Sequence, residues 1–245
     1  MHRFFADPGK STAQEAVLTE EDARHASTVL RLKPETVIEV ILDSRLWRAE
    51  ILSIRSNEVR AALLSPLPSS EPALSITLFQ GLPKGDKMDF IVQKATELGV
   101  SRIVPVLMSR SVVKPDDKVI SHKLERWRRI VREAAKQSGR CVIPELASLT
   151  SVPDLARCGF LPDSCVVPWE EAQSIGPLAF CKSKPDLTSL GILIGPEGGI
   201  EKEEIVHLQK AGFVPITLGK RILRTETAGL AAVSAFLGLY GEMDS

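Results

Sequence analysis

The stretch Leu218–Gly238, LGKRILRTETAGLAAVSAFLG, limits the fold of this chain more than any other segment. Its first half is a glycine-turned loop rich in charged and polar side chains, and its second half is an almost wholly apolar helix. A helix that is apolar on every side is buried, and charge beside a buried core is unfavourable unless it is paired or used. The loop is therefore either a helix start that Thr225 and Glu226 cap, or a ligand-binding loop.

The rest of the chain changes its pattern at the proline-rich segment Ser65–Pro72, SPLPSSEP, which we take as a domain boundary. Before it, short strand-like runs surround one helix, and Ser56-Asn57 makes a turn between the last two runs. After it, strands and helices alternate, which is typical of an α/β domain with a parallel sheet. The 245 residues suffice for two such domains, 1–70 and 71–245.

The element boundaries follow from periodicity and from capping residues. Thr19, together with Asp22, can cap the first helix, and Asp86 can cap the second. The later helices are expected at about Ser121–Ser138 and at Glu201–Ala211. The predicted strands are Val37–Leu42, Ala49–Ile54, Val59–Leu64, Leu74–Gln80, Arg102–Leu107, Cys165–Pro168, Gly191–Ile194 and Val214–Leu218.

Charge is balanced over the whole chain, with 31 basic and 31 acidic side chains, but residues 71–140 carry a net charge of +6. Much of this excess lies on one face of the amphipathic helix Ser121–Ser138, opposite an apolar arc. A local positive excess in a neutral chain indicates a face that binds a polyanion. A merely solvated basic face is the alternative.

Cysteine usage and hydropathy exclude several classes of protein. The four cysteines form no C-x-x-C pair and have no histidine at ligand spacing, so we expect free thiols in a reducing compartment and no metal site. No secretory signal opens the chain and no apolar run is long enough to cross a membrane, which predicts a cytoplasmic protein without membrane contacts. These cysteines are Cys141, Cys158, Cys165 and Cys181.

Two glycine-rich loops, Gly195–Gly199 and the loop that begins at Leu218, each follow a buried strand. In open α/β sheets ligands bind at these strand ends, and glycine lets a ligand approach the backbone closely. The loops match neither phosphate-binding signature, and Glu197 makes the first one unsuitable for a triphosphate. A ligand with an adenine, hydroxyls and a positive centre suits them better, and S-adenosylmethionine fits that description.

Four segments together resemble the ribosomal RNA small-subunit methyltransferase E family of the SPOUT superfamily. They are GLPKGDKMDFIVQKATELGV (81–100), RWRRIVREAAKQSGR (126–140), LIGPEGGIEKEEI (193–205) and LGKRILRTETAGLAA (218–232). The segment RHASTVLRL (24–32) is similar to the family's entry helix. The chain departs from the family pattern at Arg24, Ile200 and Gly229, and over Asp43–Arg48, which is not the usual glycine-rich turn.

The resemblance implies a fold and a reaction. The C-terminal part would be a SPOUT α/β domain with a parallel sheet and a trefoil knot, and the N-terminal part a PUA-like β-barrel that helps to bind RNA. A homodimer would transfer methyl from S-adenosylmethionine to N3 of a uridine in 16S ribosomal RNA, within the small subunit. A non-catalytic RNA-binding or ribosome-assembly factor and a SPOUT enzyme with another RNA target are the alternatives.

The resemblance also assigns residues by position. The candidate bases are Glu197 and Glu226, and Arg224 would donate to the developing uridine oxyanion; a helix cap or an ion pair with Arg224 is the alternative role of Glu226. The RNA-binding residues, which would mostly hold phosphates, are His25, Arg31, Lys84, Lys87, Lys94, Arg126, Arg129, Arg132 and Arg140. The cofactor-binding residues are Val167, Trp169, Ile194, Gly195, Pro196, Glu197, Gly198, Gly199, Leu218, Gly219, Ile222, Leu223, Arg224, Glu226, Thr227 and Ala228.

Overall fold

The computed structural model describes residues 1–55, 58–112, 116–155, 161–172 and 175–244. The chain forms two compact units: unit 1 contains Met1–Glu71 and Lys136–Val142, and unit 2 contains Pro72–Ala135 and Ile143–Ser245. The predicted turn at Ser56-Asn57 and the thiol of Cys158 lie outside the described residues. In the part of the chain that is described, no helix combines the length and the apolarity needed to cross a membrane.

Unit 1 is built on a single sheet. Its strands are β1 (Arg3–Phe5), β2 (Glu15–Val17), β3 (Val37–Leu42), β4 (Arg45–Arg55) and β5 (Glu58–Pro66). The strand order is β1-β3-β4-β5-β2, with β1 parallel to β3 and the other neighbours antiparallel. An antiparallel bridge between Ala6 and Leu18 joins the two edges of the sheet. Apolar side chains that alternate along these strands, such as Ile38 and Val40, form the core of the unit.

The first helix, α1 (Glu20–Arg24), begins where the sequence predicts it. The hydroxyl of Thr19 accepts a hydrogen bond from the backbone N–H of Asp22 at 3.4 Å. The buried carboxylate of Asp22 does not complete a capping box, because it accepts the backbone N–H of Phe5 at 2.7 Å and lies 2.9 Å from Lys136 Nζ. The second half of this predicted helix is a π-helical turn, His25–Val29.

Unit 2 alternates strands and helices, as predicted. Its elements are β6 (Ser75–Gly81), α2 (Lys87–Glu97), β7 (Arg102–Leu107), α3 (Asp117–Gln137, whose end belongs to unit 1), β8 (Glu145–Leu146), β9 (Thr150–Ser151), α4 (Val152–Leu155), β10 (Ser164–Pro168), α5 (Pro177–Ser183), β11 (Ser189–Ile194), α6 (Lys202–Lys210), β12 (Phe213–Ile216) and α7 (Thr225–Leu239).

The sheet of unit 2 is parallel throughout. Its strand order is β12-β10-β11-β6-β7-β8, and β9 also pairs with β7. Both faces of the central strand β6 are buried, with Leu78 in one apolar cluster and Phe79 in another, as expected for a sheet covered on both sides. The carboxyl ends of β10, β11 and β12 meet at one edge of the sheet, which is where a ligand site is expected.

Two predicted helix starts differ in detail. Asp86 precedes α2, but its side chain makes no capping hydrogen bond, so that prediction is wrong. Glu201 is the N-cap of α6 rather than its first helical residue, and it forms a capping box with Glu204.

The final helix, α7, is buried on one side only. The buried residues after its first turn are Gly229, Ala232, Val233, Phe236 and Leu237. The predicted face of small residues, which includes Ala231 and Ala235, is half-buried, and Leu239 is exposed. The expectation of burial on every side is therefore wrong, and the helix keeps an accessible apolar face.

Gly229 allows a test of how tightly α7 packs. A Cβ atom added there would lie 3.4 Å from Gln80 Oε1 and 3.6 Å from Ile194 Cγ1, which are ordinary contact distances. Because glycine in a helix interior is disfavoured relative to alanine, we predict that Gly229→Ala raises the free energy of unfolding by about 0.5–1 kcal/mol. Urea unfolding measures the change.

The matched control is Gly212→Ala. A Cβ atom added there would meet nothing within 4 Å, but the φ of 92° strains any other residue, so this variant should be less stable than the parent protein. A loss of stability in Gly229→Ala would contradict the packing described for α7.

Candidate functional site

A cavity of about 570 Å³ lies in unit 2 at the carboxyl ends of β10, β11 and β12. Three loops form its wall, Pro168–Glu170, Ile194–Ile200 and Thr217–Arg224, together with Lys87 on α2 and the first turn of α7. The loops belong to adjacent parallel strands, so the sheet itself brings them together. The edge of the sheet chosen from the sequence is therefore the edge that carries the cavity.

Most of the predicted cofactor-binding residues lie on this wall. They are Trp169, Ile194, Gly195, Pro196, Glu197, Gly198, Gly199, Leu218, Gly219, Ile222, Leu223, Arg224 and Ala228. Three are not among the lining residues: Val167 is fully buried in the core, Thr227 is exposed, and Glu226 is half-buried beside Lys87. The wall also contains Pro168, Lys220, Arg221 and Thr225, which lie inside the loops Val167–Trp169 and Leu218–Ala228 that were predicted to hold the cofactor. The sequence reasoning missed Glu170, Ile200 and Thr217, and it assigned Lys87 to RNA.

A buried chain of hydrogen bonds joins the strands to the last helix beneath the cavity. Gln80, at the end of β6, donates from Nε2 to Thr225 Oγ1 at 2.9 Å. Thr225 in turn donates from Oγ1 to the carbonyl oxygen of Gly195 at 2.7 Å. Gln80 and Thr225 are both buried. The hydroxyl of Thr225 thus connects α7 to the glycine loop and does not cap the helix, so the capping role considered for it is wrong.

Close backbone approach fixes the loop Gly195–Gly199. A Cβ atom on Gly81 would lie 2.8 Å from the nitrogen of Pro196, so only glycine permits this packing. On the other side Arg110 donates from Nη1 to the carbonyl oxygen of Gly198 at 3.0 Å. Neither Gly81 nor Arg110 was a predicted site residue, because nothing local in the sequence relates them to a loop about a hundred residues away.

Lys87 joins the two candidate carboxylates. Its Nζ atom lies 3.0 Å from Glu197 Oε1 and 3.1 Å from Glu226 Oε2. Glu197 also accepts the backbone N–H of Lys84 at 3.2 Å. Lys87 was predicted to hold RNA phosphates, and Arg224 was the ion-pair partner considered for Glu226. In the structure Lys87 lines the cavity and pairs with Glu226, and its contact with RNA phosphates stays a prediction.

This arrangement keeps all three groups charged. The carboxylates of Glu197 and Glu226 raise the pKa of Lys87 above its usual value. Burial opposes ionisation of Glu197, but the hydrogen bonds from Lys87 and from backbone N–H groups outweigh it and lower its pKa. A hydrogen bond from its own backbone N–H, aided by Lys87 and opposed by burial, lowers the pKa of Glu226. Both carboxylates are therefore ionised at neutral pH.

Two of the predicted RNA-binding residues of unit 2 pair with acidic neighbours, and three others are exposed. Lys94 Nζ pairs with Glu97 at 2.8 Å, and Arg126 pairs with Asp89. Arg129, Arg132 and Lys84 are exposed. The basic face of α3 thus exists, but acidic neighbours already neutralise part of it.

In unit 1, His25 and Arg31 are exposed, and the ring of His25 packs edge-on against Phe4. Arg140 was predicted to extend the exposed basic surface, and that prediction is wrong. Arg140 is 5% exposed, and its Nη2 atom lies 2.5 Å from a carboxylate oxygen of Glu71. Its charge forms an ion pair with Glu71 inside unit 1.

Two segments of the chain match known domain families. Residues 70–237 match an RNA methyltransferase domain, and residues 18–64 match an RNA methyltransferase PUA domain. The ribosomal RNA small subunit methyltransferase E of Bacillus subtilis is 36% identical over 96% of this chain and 95% of its own length. The protein of the same name from Mycobacterium tuberculosis is 32% identical over 95% of this chain and 89% of its own.

Two solved structures with bound cofactor are similar to this one. The ribosomal RNA small subunit methyltransferase E of Neisseria gonorrhoeae, bound to S-adenosyl methionine, has a TM-score of 0.79 at 31% identity and covers 98% of each chain. A methyltransferase of Legionella pneumophila in complex with the same cofactor has a TM-score of 0.78 at 29% identity and covers 96% of each chain.

The ion pairs of Lys87 make stability depend on pH. Because the pKa values of Glu197 and Glu226 are lowered in the folded protein, their contribution is complete above the ordinary value of 4.5 and is lost as pH falls through the folded values. We predict that Lys87→Met lowers the free energy of unfolding at pH 7, and that the difference from the parent protein shrinks below pH 4.5.

Urea unfolding at pH 7 and at pH 3.5 measures this difference. Lys182→Met, at an exposed lysine of α5, is the control and should change stability little at either pH. A destabilisation by Lys87→Met that is equal at both pH values would mean that the ion pairs do not carry it.

Proposed function

Because this chain belongs to the ribosomal RNA small subunit methyltransferase E family, we propose that it methylates N3 of one uridine in 16S ribosomal RNA. The relatives and the cofactor-bound structures make it an S-adenosylmethionine-dependent ribosomal RNA methyltransferase. The observation that carries the proposal is the cavity whose walls are the loops of the family motifs, GPEGG and LGKRILRTETA. An rRNA substrate also supports the expected cytoplasmic location.

The cavity suits S-adenosylmethionine in size and chemistry. Its volume of about 570 Å³ falls in the range of small-molecule sites, roughly 300–1,000 Å³. Apolar residues such as Leu218 and Leu223 can cover an adenine, and the glycines expose backbone groups for the ribose and adenine. Glu170 and Glu197 supply negative charge to the wall for a cationic sulfonium. The residues present therefore fit the cofactor.

The chain's own groups would prepare the uridine for transfer. Bound S-adenosylmethionine supplies an electrophilic methyl group, and the proton on N3 must leave before or during its transfer. Glu197 and Glu226 are both candidate bases: Glu197 accepts the backbone N–H of Lys84, Glu226 accepts its own backbone N–H, and both pair with Lys87. Arg224, exposed on the wall, can donate to a uridine oxygen as negative charge develops there. Lys87 holds the carboxylate of Glu226 in position.

The finer features of the fold and assembly are part of the proposal. We propose that residues 1–70 form a PUA-like β-barrel that binds RNA, which the bridge between the two edges of the unit 1 sheet supports. Residues 71–245 would form the methyltransferase domain, with a trefoil knot formed by the last cofactor loop and α7. The accessible apolar face of α7 supports a homodimer that buries it.

The two alternatives differ from this proposal in what they require. A non-catalytic assembly factor needs no cofactor cavity, so the preserved cavity and its loops argue against it. An enzyme with another RNA target keeps the cavity and differs only in its product. Identification of the product therefore decides between the targets.

The test is methylation of 16S rRNA, free and in small subunits, from cells that lack the corresponding enzyme, with the product nucleoside identified by mass spectrometry. We expect 3-methyluridine. A 2′-O-methylated nucleoside, or methylation of transfer RNA alone, would contradict the target. Calorimetry that detects no binding of S-adenosylmethionine would contradict the catalytic assignment.

The role of Glu226 as base has a separate test. Glu226→Gln keeps the size of the side chain and removes its capacity to take a proton, so we predict that kcat falls about 100-fold while the Kd for S-adenosylmethionine changes little. The control is Glu203→Gln, at an exposed carboxylate on α6, which should keep full activity. An unchanged kcat would remove Glu226 from the chemistry.

A further inference from the structure

The segment Lys220–Arg224 at the mouth of the cavity presents its side chains outward. Lys220, Arg221 and Arg224 are exposed, and Ile222 is 86% exposed although it is a large apolar residue. The same segment lines the cavity. Ile222 is therefore available to contact a ligand bound at the cavity.

The charges of this segment remain available. Within the described residues, no salt bridge or side-chain hydrogen bond involves Lys220, Arg221 or Arg224. By contrast, Lys94 and Arg126 of the predicted basic surface are paired with Glu97 and Asp89. Unpaired cations at the cavity mouth can bind phosphates without first giving up an internal partner.

The segment is held at both of its ends. Before it, Thr217 Oγ1 accepts the backbone N–H of Gly219 at 3.1 Å, and Gly219 turns the chain with a φ of 101°. After it, Thr225 Oγ1 donates to the carbonyl oxygen of Gly195. The outward side chains are thus carried on a loop whose ends are fixed to the same edge of the sheet as the cavity.

We propose that Lys220, Arg221 and Ile222 form the surface that receives the RNA strand around the target nucleotide. Lys220 and Arg221 bind phosphates that flank the nucleotide in the cavity, and Ile222 packs against a neighbouring base. The same loop lines the cavity proposed for the cofactor, so in this proposal it contacts both ligands. This inference rests on the proposed function in taking RNA as the substrate.

The chemistry favours RNA over a protein partner. A lysine and an arginine next to each other match consecutive phosphates, and apolar contacts with bases are common in the recognition of single-stranded nucleic acid. A protein partner would need a larger apolar area than one isoleucine between cations. An interface between two copies of this chain remains the competing explanation, and the experiment separates it.

The experiment uses the full chain with Lys220→Ala and Arg221→Ala combined, and Ile222→Ala as a second variant. The probe is 16S rRNA from cells that lack the enzyme, in filter binding at several salt concentrations. For the double variant we expect the Kd for RNA to rise about tenfold or more. The slope of log Kd against log salt concentration should fall by about 1.5, because two phosphate contacts are lost and each contributes roughly 0.7–0.9. Ile222→Ala should weaken binding without changing the slope.

The controls make each result decisive. Lys182→Ala with Lys210→Ala removes two exposed lysines elsewhere on unit 2 and should leave RNA binding unchanged. The Kd for S-adenosylmethionine should rise less than the Kd for RNA in the double variant, and the oligomeric state should be the same in all variants, which also shows that they fold. Unchanged RNA affinity and slope in the double variant would overturn the proposal, as would a change in oligomeric state or an equal loss of cofactor affinity.

This readout is independent of the product of the reaction. Should the parent protein bind 16S rRNA through this loop but methylate another position, the proposed target fails and the inference stands. Should it yield 3-methyluridine while the double variant binds RNA as well as the parent does, the inference fails and the proposed function stands.

Discussion

The site depends on one buried contact, the hydrogen bonds that run from Gln80 through Thr225 to Gly195. Gln80 and Ile194 are directly opposite each other in the register of β6 and β11, so the amide and the glycine loop start from neighbouring strand ends. Thr225 is the first residue of α7, and its hydroxyl both accepts from one strand and donates to the loop after the other. A buried donor or acceptor left unpaired is costly, so this contact fixes where the last helix begins.

That fixed start determines the chemistry around it. Glu226 follows Thr225 directly and is thereby brought within 3.1 Å of Lys87 on α2. The loop before Thr225 closes the cavity, and the helix after it fills the core beneath. A single threonine hydroxyl thus connects the cofactor wall, a candidate base and the core of unit 2.

Much of this was predictable from local patterns. Short runs of strand-forming apolar residues located β3 and β7 with their correct ends, and the position of the glycine loops after buried strands located the cavity. Ion pairs between residues far apart in the sequence were not predicted. The burial of Arg140 depends on Glu71, and the role of Lys87 depends on Glu197 and Glu226, so no local pattern reveals either. The sequence shows which charge a side chain carries, but only the fold shows which residue it forms an ion pair with.

Unit 1 consists of two segments that are separate in the sequence, and this limits where the chain can be divided. Its segment Lys136–Val142 comes after most of α3, yet Glu71 binds Arg140 and accepts the backbone N–H groups of Cys141 and Val142. The first 71 residues therefore lack the hydrogen-bond and ion-pair partners of Glu71. The N-terminal 71 residues cannot be exchanged as an independent module, because recombination after residue 71 would separate the half-buried carboxylate of Glu71 from its partners. The two units are expected to pass between lineages together, as one genetic block.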